Sequence, residues 1–353
     1  MRKTGKGFGL AALLTLSLSM SVMAQESNEV TDVTGRVVQV PSEAQNVVML
    51  PGPAYEKAMI VGATDQVGGI LKSCATEWAK LIHPEMENLV IFDSSTEPNI
   101  EEILNLNAEF VICHDYKDLN QQLTDLEIPY VVTQCSGELP YHDLEGFLEF
   151  QKAEVKAFGD AFGGEAVEKA QAWCDYFDEK VAYVREKTDE LSEEECPRVY
   201  YARSDEGLVT FSQNSYPQYL VELAGGNYVA KETPEEMNSA LTIEQIMEWD
   251  PEIIFMGRMN DTGIILDNEA WSGITAVENE AVYLSPSGVF HWDYSGESVL
   301  LMLYLAKNIQ PDLFAELDME AEIQNYYETF YGYTLSEENI QNILNHAAPA
   351  AQG

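Results

Sequence analysis

Short apolar runs alternate in the first part of the chain with segments whose apolar residues recur at helical spacing. The runs lie at 46–50, 67–71, 110–113 and 129–133. Strands that alternate with helices usually pair in parallel, because each helix returns the chain to the same edge of the sheet. The pattern predicts an α/β lobe over residues 25–141.

A long helical segment follows this lobe. Residues 142–191 contain no proline, and Phe147, Val155 and Phe162 belong to one apolar stripe. Gly163 and Gly164 interrupt the stripe, which is typical of a helix end. Since a helix is stiff and a flexible linker is not, we predict a rigid connecting helix over 142–164.

The α/β pattern then returns, which predicts a second lobe over residues 165–353. Its apolar runs are at 198–202, 253–256 and 281–284, and helices are predicted at 296–308, 311–331 and 336–347. Residues 100–112 also align without gaps with residues 243–255, with four identities. This internal similarity favours two related lobes, with a ligand cleft between them at the carboxyl ends of the strands.

The charge of the chain limits its partners. It has 60 acidic residues against 19 Lys and Arg, a net charge of −41. Such a surface repels phosphate backbones, so nucleic acid is excluded as a partner.

The first residues predict a signal peptide. Arg2, Lys3 and Lys6 precede an apolar stretch at 8–22, and the sequence at 22–24, Val-Met-Ala, is typical of a cleavage site. We therefore expect a signal peptide over 1–24, cleaved near Ala24, and a periplasmic protein. No cysteine follows the apolar stretch, so a lipid anchor is not expected.

Five cysteines leave one pairing open. Cys113 and Cys135 end two predicted neighbouring strands. They form either a disulfide, which an exported protein allows, or two small buried thiols.

Motifs of the common enzyme classes are missing from the sequence. It contains no GxxxxGK[ST], GxSxG, HExxH or GxGxxG pattern. We therefore expect a protein without enzymatic activity and without a resident cofactor.

Several ordered motifs resemble one family over essentially the whole mature chain. They are Val30-Thr31-Asp32 with Gly35–Pro41, Pro98–Glu101, Gly225-Gly226-Asn227 and Trp249–Glu252. They are similar to the iron-siderophore, haem and cobalamin binding proteins of ABC importers, the class III periplasmic binding proteins. The resemblance implies two Rossmann-like lobes joined by one long helix, and a monomer that delivers an iron(III) complex or a metal ion to a permease and ATPase complex.

Other functions stay open. The same fold carrying cobalamin, haem or a nickel or cobalt chelate is the nearest alternative. An exported small-molecule hydrolase, or a sensor or adhesin on the same scaffold, belongs to a different class.

The loops that follow the predicted strands supply the candidate site. The ligand-binding candidates are Tyr55, Trp78, Tyr116, Arg203, Tyr216, Arg258, Trp292 and Tyr294. Basic residues are scarce, so Arg203 and Arg258 are informative: each faces an anionic chelate or pairs with a carboxylate. Trp292 and Tyr294 alternatively only pack a strand–helix junction.

Metal and permease contacts are predicted separately. His114, Asp115 and His291 offer imidazole and carboxylate ligands for iron. The family resemblance implies that Glu56 of the amino lobe docks on the permease. In the carboxyl lobe the usual family position falls on Tyr219, and Glu222 is the available acid of the same helix, so we expect Glu222 to dock there.

Overall fold

Two parallel sheets form the framework of the protein in a computed structural model that describes residues 26–135, 140–204, 206–233 and 239–350. The predicted signal peptide lies outside these residues. Within them, no helix is both long enough and apolar enough to cross a membrane.

The amino-lobe sheet has five parallel strands in the order β5-β4-β3-β6-β7. These strands are β3 (Val47–Met49), β4 (Val67–Leu71), β5 (Val90–Phe92), β6 (Val111–His114) and β7 (Tyr130–Gln134). The helices of this lobe are α1 (Ala54–Val61), α2 (Glu77–Ile82), α3 (Ile100–Asn105) and α4 (Lys117–Asp125). Strands β3 and β6 are buried along their whole length, which is why they read as apolar runs in the sequence.

An antiparallel hairpin precedes this sheet, and the sequence pattern did not predict it. Its strands are β1 (Ser27–Thr31) and β2 (Val37–Pro41). Each strand buries only one side chain, Val30 or Val40, so neither forms an apolar run.

Two long antiparallel helices connect the lobes. Helix α5 (Leu144–Phe162) occupies the predicted connector, and α6 (Glu165–Thr188) packs beside it. Asp143 caps α5 by accepting a hydrogen bond from the Gly146 N–H at 2.7 Å. A Cβ at Gly159 would lie 2.6 Å from the Ala170 Cβ, so the two helices approach closely because glycine lies there.

The carboxyl-lobe sheet has the strand order β10-β8-β12-β13, also parallel. The strands of the lobe are β8 (Arg198–Ala202), β9 (Val209–Thr210), β10 (Asn227–Tyr228), β11 (Ser239–Ala240), β12 (Ile253–Met256) and β13 (Val282–Leu284). Strands β9 and β11 form a separate antiparallel pair. The helices are α7 (Tyr216–Leu223), α8 (Ile243–Trp249), α9 (Gly263–Leu266), α10 (Thr275–Glu278), α11 (Ser298–Ile309), α12 (Met319–Tyr326) and α13 (Glu337–Leu344).

The single helix predicted over 311–331 is wrong at its start. Helix α12 begins only at Met319, and Tyr327–Tyr331 continues it as a π-helical turn. The Asp318 carboxylate accepts hydrogen bonds from the Glu320 and Ala321 N–H groups and so fixes a new helix start at that point.

The internal sequence similarity matches a repeated unit of structure. Helix α3 leads into β6, and helix α8 leads into β12. In the amino-lobe sheet, β6 pairs with β3, and β3 pairs on its other side with β4. In the carboxyl-lobe sheet, β12 pairs with β8, and β8 pairs on its other side with β10. The order of the strands reverses at this point, where α/β sheets commonly bind ligands.

One continuous apolar core runs through both lobes and the connecting helices. It includes Ile112 of β6, Phe158 of α5, Trp173 of α6 and Val199 of β8. In addition, each lobe has a smaller apolar cluster of its own, so the lobes share only part of their core. Cys113 and Cys135 are free thiols in the structure, the first buried and the second half-buried, so they do not form the disulfide that the sequence left open.

Candidate functional site

Arg203 and Arg258 follow two neighbouring strands where the order of the carboxyl-lobe strands reverses. Strands β8 and β12 pair with Ala202 opposite Met256, so each arginine comes one or two residues after a paired position. Arg258 has φ of +57°, a left-handed conformation that is costly for a residue with a side chain. The fold thus holds two of its few cations at the usual ligand-binding edge.

Arg258 has a fixed orientation. Its Nε donates to the two carboxylate oxygens of Asp293 at 2.9 and 3.1 Å. One terminal nitrogen donates to the Tyr216 hydroxyl at 3.4 Å, and the guanidinium carbon lies 5.6 Å from the centre of the Tyr294 ring. Since 28% of the Arg258 side chain stays exposed beside the buried Asp293, the remaining N–H groups are accessible to an anion.

Aromatic rings line this part of the site. The Arg203 guanidinium stacks over Phe211 at 4.3 Å, and Phe211 lies 4.6 Å from the Tyr216 ring. The rings of Tyr216 and Tyr294 are 6.4 Å apart. A cation held against ring faces keeps its charge while losing part of its water.

His291 lies in the electrostatic range of both arginines. Burial, opposed by Asp293 and reinforced by Arg258, lowers its pKa to about 4, so the imidazole is neutral near pH 7. Its Nδ1 is buried and has no hydrogen-bond partner among the described residues. Such an atom is suited to a polar ligand.

The amino lobe contributes a second imidazole. His114 ends β6 and stacks on Tyr116 with ring centres 4.9 Å apart. Burial, opposed by Asp115, lowers the pKa of His114 to about 4. Its Nδ1 is likewise buried without a partner in the described part of the chain.

The two halves of the site meet at Tyr294. Its hydroxyl donates to Oε1 of Gln134, the last residue of β7, at 2.6 Å. The Tyr116 phenol also acts on the pKa of Tyr294 across the cleft. The structure thus joins Arg203, Arg258, Tyr216 and Tyr294 in the carboxyl lobe and connects Tyr294 to Gln134 of the amino lobe.

Three predicted ligand-binding residues are not accessible to a ligand. Trp292 is fully buried, and Tyr55 and Trp78 are 1% and 5% exposed. The Tyr55 hydroxyl bonds to His83 at 2.8 Å, and the Trp78 indole N–H donates to the Ala347 carbonyl at 3.1 Å. The prediction that these rings line the cleft is corrected: long-range packing covers all three.

The prediction of Glu56 as a docking residue is also corrected. Its side chain is 2% exposed and accepts hydrogen bonds from the Gly296 N–H at 3.1 Å and the Tyr331 hydroxyl at 2.8 Å. A carboxylate enclosed between the lobes cannot meet a partner at the surface. Glu222 is one-third exposed and lies 3.9 Å from Lys231, and its docking role stays a prediction.

Direct metal ligation receives no geometric support from the predicted residues. His114 and Asp115 are consecutive, and in the described ranges no three His, Cys, Asp or Glu side chains come together as a metal site. A separate cavity of about 380 Å³ lies between α1, α6 and the π-helical turn, lined by residues such as His83, Lys169 and Tyr331. It contains none of the cleft residues described above.

The sequence did not point to Gln134 and Phe211 as site residues. Gln134 was detectable, because it follows directly after the predicted strand at 129–133. Asp293 was a candidate from the sequence as part of the loop 290–294, but its pairing with Arg258 was not predictable, because the two residues are 35 positions apart. Phe211 carried no signal beyond being aromatic.

Comparison with known proteins identifies a family that the chain matches. The family model described as periplasmic binding protein matches residues 47–288. The molybdate-binding protein MolA of Haemophilus influenzae is 27% identical, and the match covers 94% of this chain and 97% of MolA.

Solved structures agree with the observed fold. A periplasmic solute-binding protein from Veillonella parvula is 28% identical with a TM-score of 0.75, covering 91% of this chain and 97% of that chain. The structure of MolA of Haemophilus influenzae bound to molybdate has a TM-score of 0.77 at 23% identity, covering 87% of this chain and 99% of that chain. The family match spans well over half of the sequence, and the chain belongs to the periplasmic binding proteins.

Proposed function

We propose that the protein binds a small oxyanion of the molybdate type in the periplasm and delivers it to its permease. The observation that carries this proposal is the pair Arg203 and Arg258 at the reversal point of the carboxyl-lobe sheet. Guanidinium groups offer several N–H donors in a plane and bind oxyanions in a defined geometry. The relative MolA, named for molybdate binding, supports the same cargo.

The net charge of −41 opposes an anionic cargo at long range. Salt screens such a field within about 8–10 Å, so the charges inside the cleft determine affinity. Neutral imidazoles at His114 and His291 add polar contacts without adding negative charge.

An anionic iron(III) siderophore complex is the second candidate. The rings of Phe211, Tyr216, Tyr294 and Tyr116 offer flat apolar surface, which a chelate uses and a bare oxyanion does not. The sequence also suggested a free metal ion as cargo. Binding of such an ion by His114, Asp115 and His291 has less support than binding of the iron(III) complex.

The test is a calorimetric titration of the mature protein with molybdate, tungstate, sulfate and a ferric catecholate complex. Arg203→Ala and Arg258→Ala are expected to weaken oxyanion binding about tenfold or more, since a charged hydrogen bond contributes about 1.5–3 kcal/mol. The loss is larger for Arg258→Ala, because it leaves the Asp293 carboxylate unpaired beside the anion.

Arg198→Ala is the matched control. Arg198 lies at the opposite end of β8 and pairs with Asp250 and Glu252 at the surface, so its loss leaves affinity unchanged. Binding that disappears only in His114→Ala and His291→Ala would overturn the proposal in favour of metal ligation. Binding of the ferric complex alone would replace the oxyanion with the chelate.

Export and delivery form the remaining part of the proposal. The signal peptide over 1–24 directs the chain to the periplasm, and Glu222 contributes to docking on the permease. Mass measurement of the periplasmic protein is expected to show a chain beginning near Gln25, and Glu222→Arg is expected to reduce uptake at unchanged affinity.

A further inference from the structure

A row of buried polar side chains leads from the connecting helix to the cleft. The Tyr294 hydroxyl donates to Gln134 Oε1 at 2.6 Å, and Gln134 Nε2 donates to Glu154 Oε1. The Lys57 ammonium lies 3.4 Å from the same Glu154 oxygen. The row joins α1, α5, β7 and the carboxyl-lobe turn at 292–294.

Burial of this row has an energetic cost. Lys57, Glu154 and Gln134 are 2%, 4% and 6% exposed. Taking an ion pair out of water costs several kcal/mol per ion, and apolar residues of similar volume often stabilise a protein as well or better. Stability alone therefore does not account for the row.

The chemistry of the row gives Gln134 one orientation. An ionised carboxylate only accepts hydrogen bonds, so Glu154 takes the Gln134 amide N–H₂. The amide oxygen is then directed to the Tyr294 hydroxyl. Burial raises the pKa of Glu154, and the Lys57 ammonium opposes this shift by favouring the ionised form that holds the arrangement.

Tyr294 connects the row of buried polar side chains to the binding site. Its ring lies beside the Arg258 guanidinium and the Tyr216 ring. A shift of Tyr294 therefore changes the surroundings of the cation that is proposed to hold the ligand.

We infer that Gln134 is a positioning residue for the binding site: held by the buried Glu154–Lys57 pair, it fixes Tyr294 of the opposite lobe and so preorganises the wall around Arg258. This inference rests on the proposed function for its effect on affinity. The contact itself is independent of any ligand.

The first experiment is a double-mutant cycle with Gln134→Met and Tyr294→Phe, titrated with molybdate. Each single variant is expected to weaken binding about tenfold, and the double variant no more than either single one, because both remove the same contact. Losses that multiply in the double variant would overturn the inference.

Gln151→Met is the matched control. Gln151 also lies on α5 and accepts a hydrogen bond from Ser298 of the carboxyl lobe at 3.2 Å, but it does not contact Tyr294. Affinity equal to that of the unmutated protein is expected. An equal loss in Gln151→Met would show a general effect of lobe contacts and would contradict a specific role for Gln134.

A charge variant gives a readout that packing alone would not change. In Gln134→Glu, two carboxyl groups face each other and share a proton at lower pH. The protonated form again donates to Glu154 and accepts from Tyr294, so affinity is expected to recover from pH 8.5 to pH 6 relative to the unmutated protein. A constant ratio across this range would contradict the inference.

The same cycle measured by urea unfolding without ligand separates the two proposals. Coupling between Gln134 and Tyr294 in the free protein is expected whatever the cargo is. If molybdate does not bind the unmutated protein, the proposed cargo fails, and the free-protein cycle still decides whether the contact is formed. Additive effects on unfolding would overturn it.

Discussion

Glu297 shows how strongly the folded structure shifts the pKa of a single carboxyl group. It is fully buried, and its carboxyl accepts hydrogen bonds from the Val289 and Phe290 N–H groups and the Tyr327 hydroxyl. Burial, reinforced by the nearby Glu56, raises its pKa from 4.5 to about 8. The folded protein therefore keeps a proton that the unfolded chain has already lost above pH 4.5.

This difference predicts a pH-dependent stability. Because the folded state binds the extra proton, the contribution of Glu297 to stability falls as pH rises from about 4.5 to 8. Glu297→Gln cannot ionise, and although its amide nitrogen cannot replace one of the two accepting oxygens, that loss is the same at every pH. Its stability relative to the unmutated protein is therefore expected to increase over this range. Urea unfolding at pH 5, 7 and 8.5 measures the difference.

The exposed Glu328, on the neighbouring π-helical turn, provides the control. Glu328→Gln is expected to shift stability equally at the three pH values. A constant difference for Glu297→Gln as well would mean that the carboxyl ionises normally inside the protein.

At the scale of elements, the end of β12 determines the shape of the site. Gly257 follows this strand, and a Cβ there would lie 2.2 Å from the Tyr201 ring. The Tyr201 hydroxyl lies 3.4 Å from the Asp293 carboxylate, which in turn holds Arg258. A side chain at position 257 therefore displaces the support of the cation.

Gly257→Ala is accordingly expected to weaken oxyanion binding about tenfold, as the Tyr201 ring is forced against Asp293. Gly273→Ala is the control, because its nearest neighbour to a new Cβ is the flexible end of Met247 at 3.6 Å. Titration of both variants checks this. Equal affinities would show that the Tyr201 ring relaxes without moving Asp293.

The elements also show which parts of the structure the sequence could predict. Strand β12 was predictable because a parallel strand buried on both faces is a local apolar run. Arg203 and Arg258 were found by a local rule as well, their position after a strand. The buried position of Glu56 was not predictable, because it results from Gly296 and Tyr331, which are 240 and 275 residues away.

At the scale of the whole molecule, the shared core predicts one unfolding transition. Phe158 of α5 is fully buried within a core that contains residues of both sheets. Phe158→Ala is expected to cost about 3–5 kcal/mol through the lost apolar contact and the cavity left behind. Because the lobes share this core, calorimetry is expected to show a single peak at a lower temperature. Two separated peaks would show that the lobes unfold independently.

The shared core also has a consequence for unloading. Pulling the lobes apart exposes apolar surface, at a cost of about 2.5 kcal/mol for every 100 Å². Wide spontaneous opening is therefore rare, and a captured solute is seldom lost in transit by that route. We expect the importer itself to supply the mechanical work that separates the lobes, so that the solute is released only at the permease in the membrane.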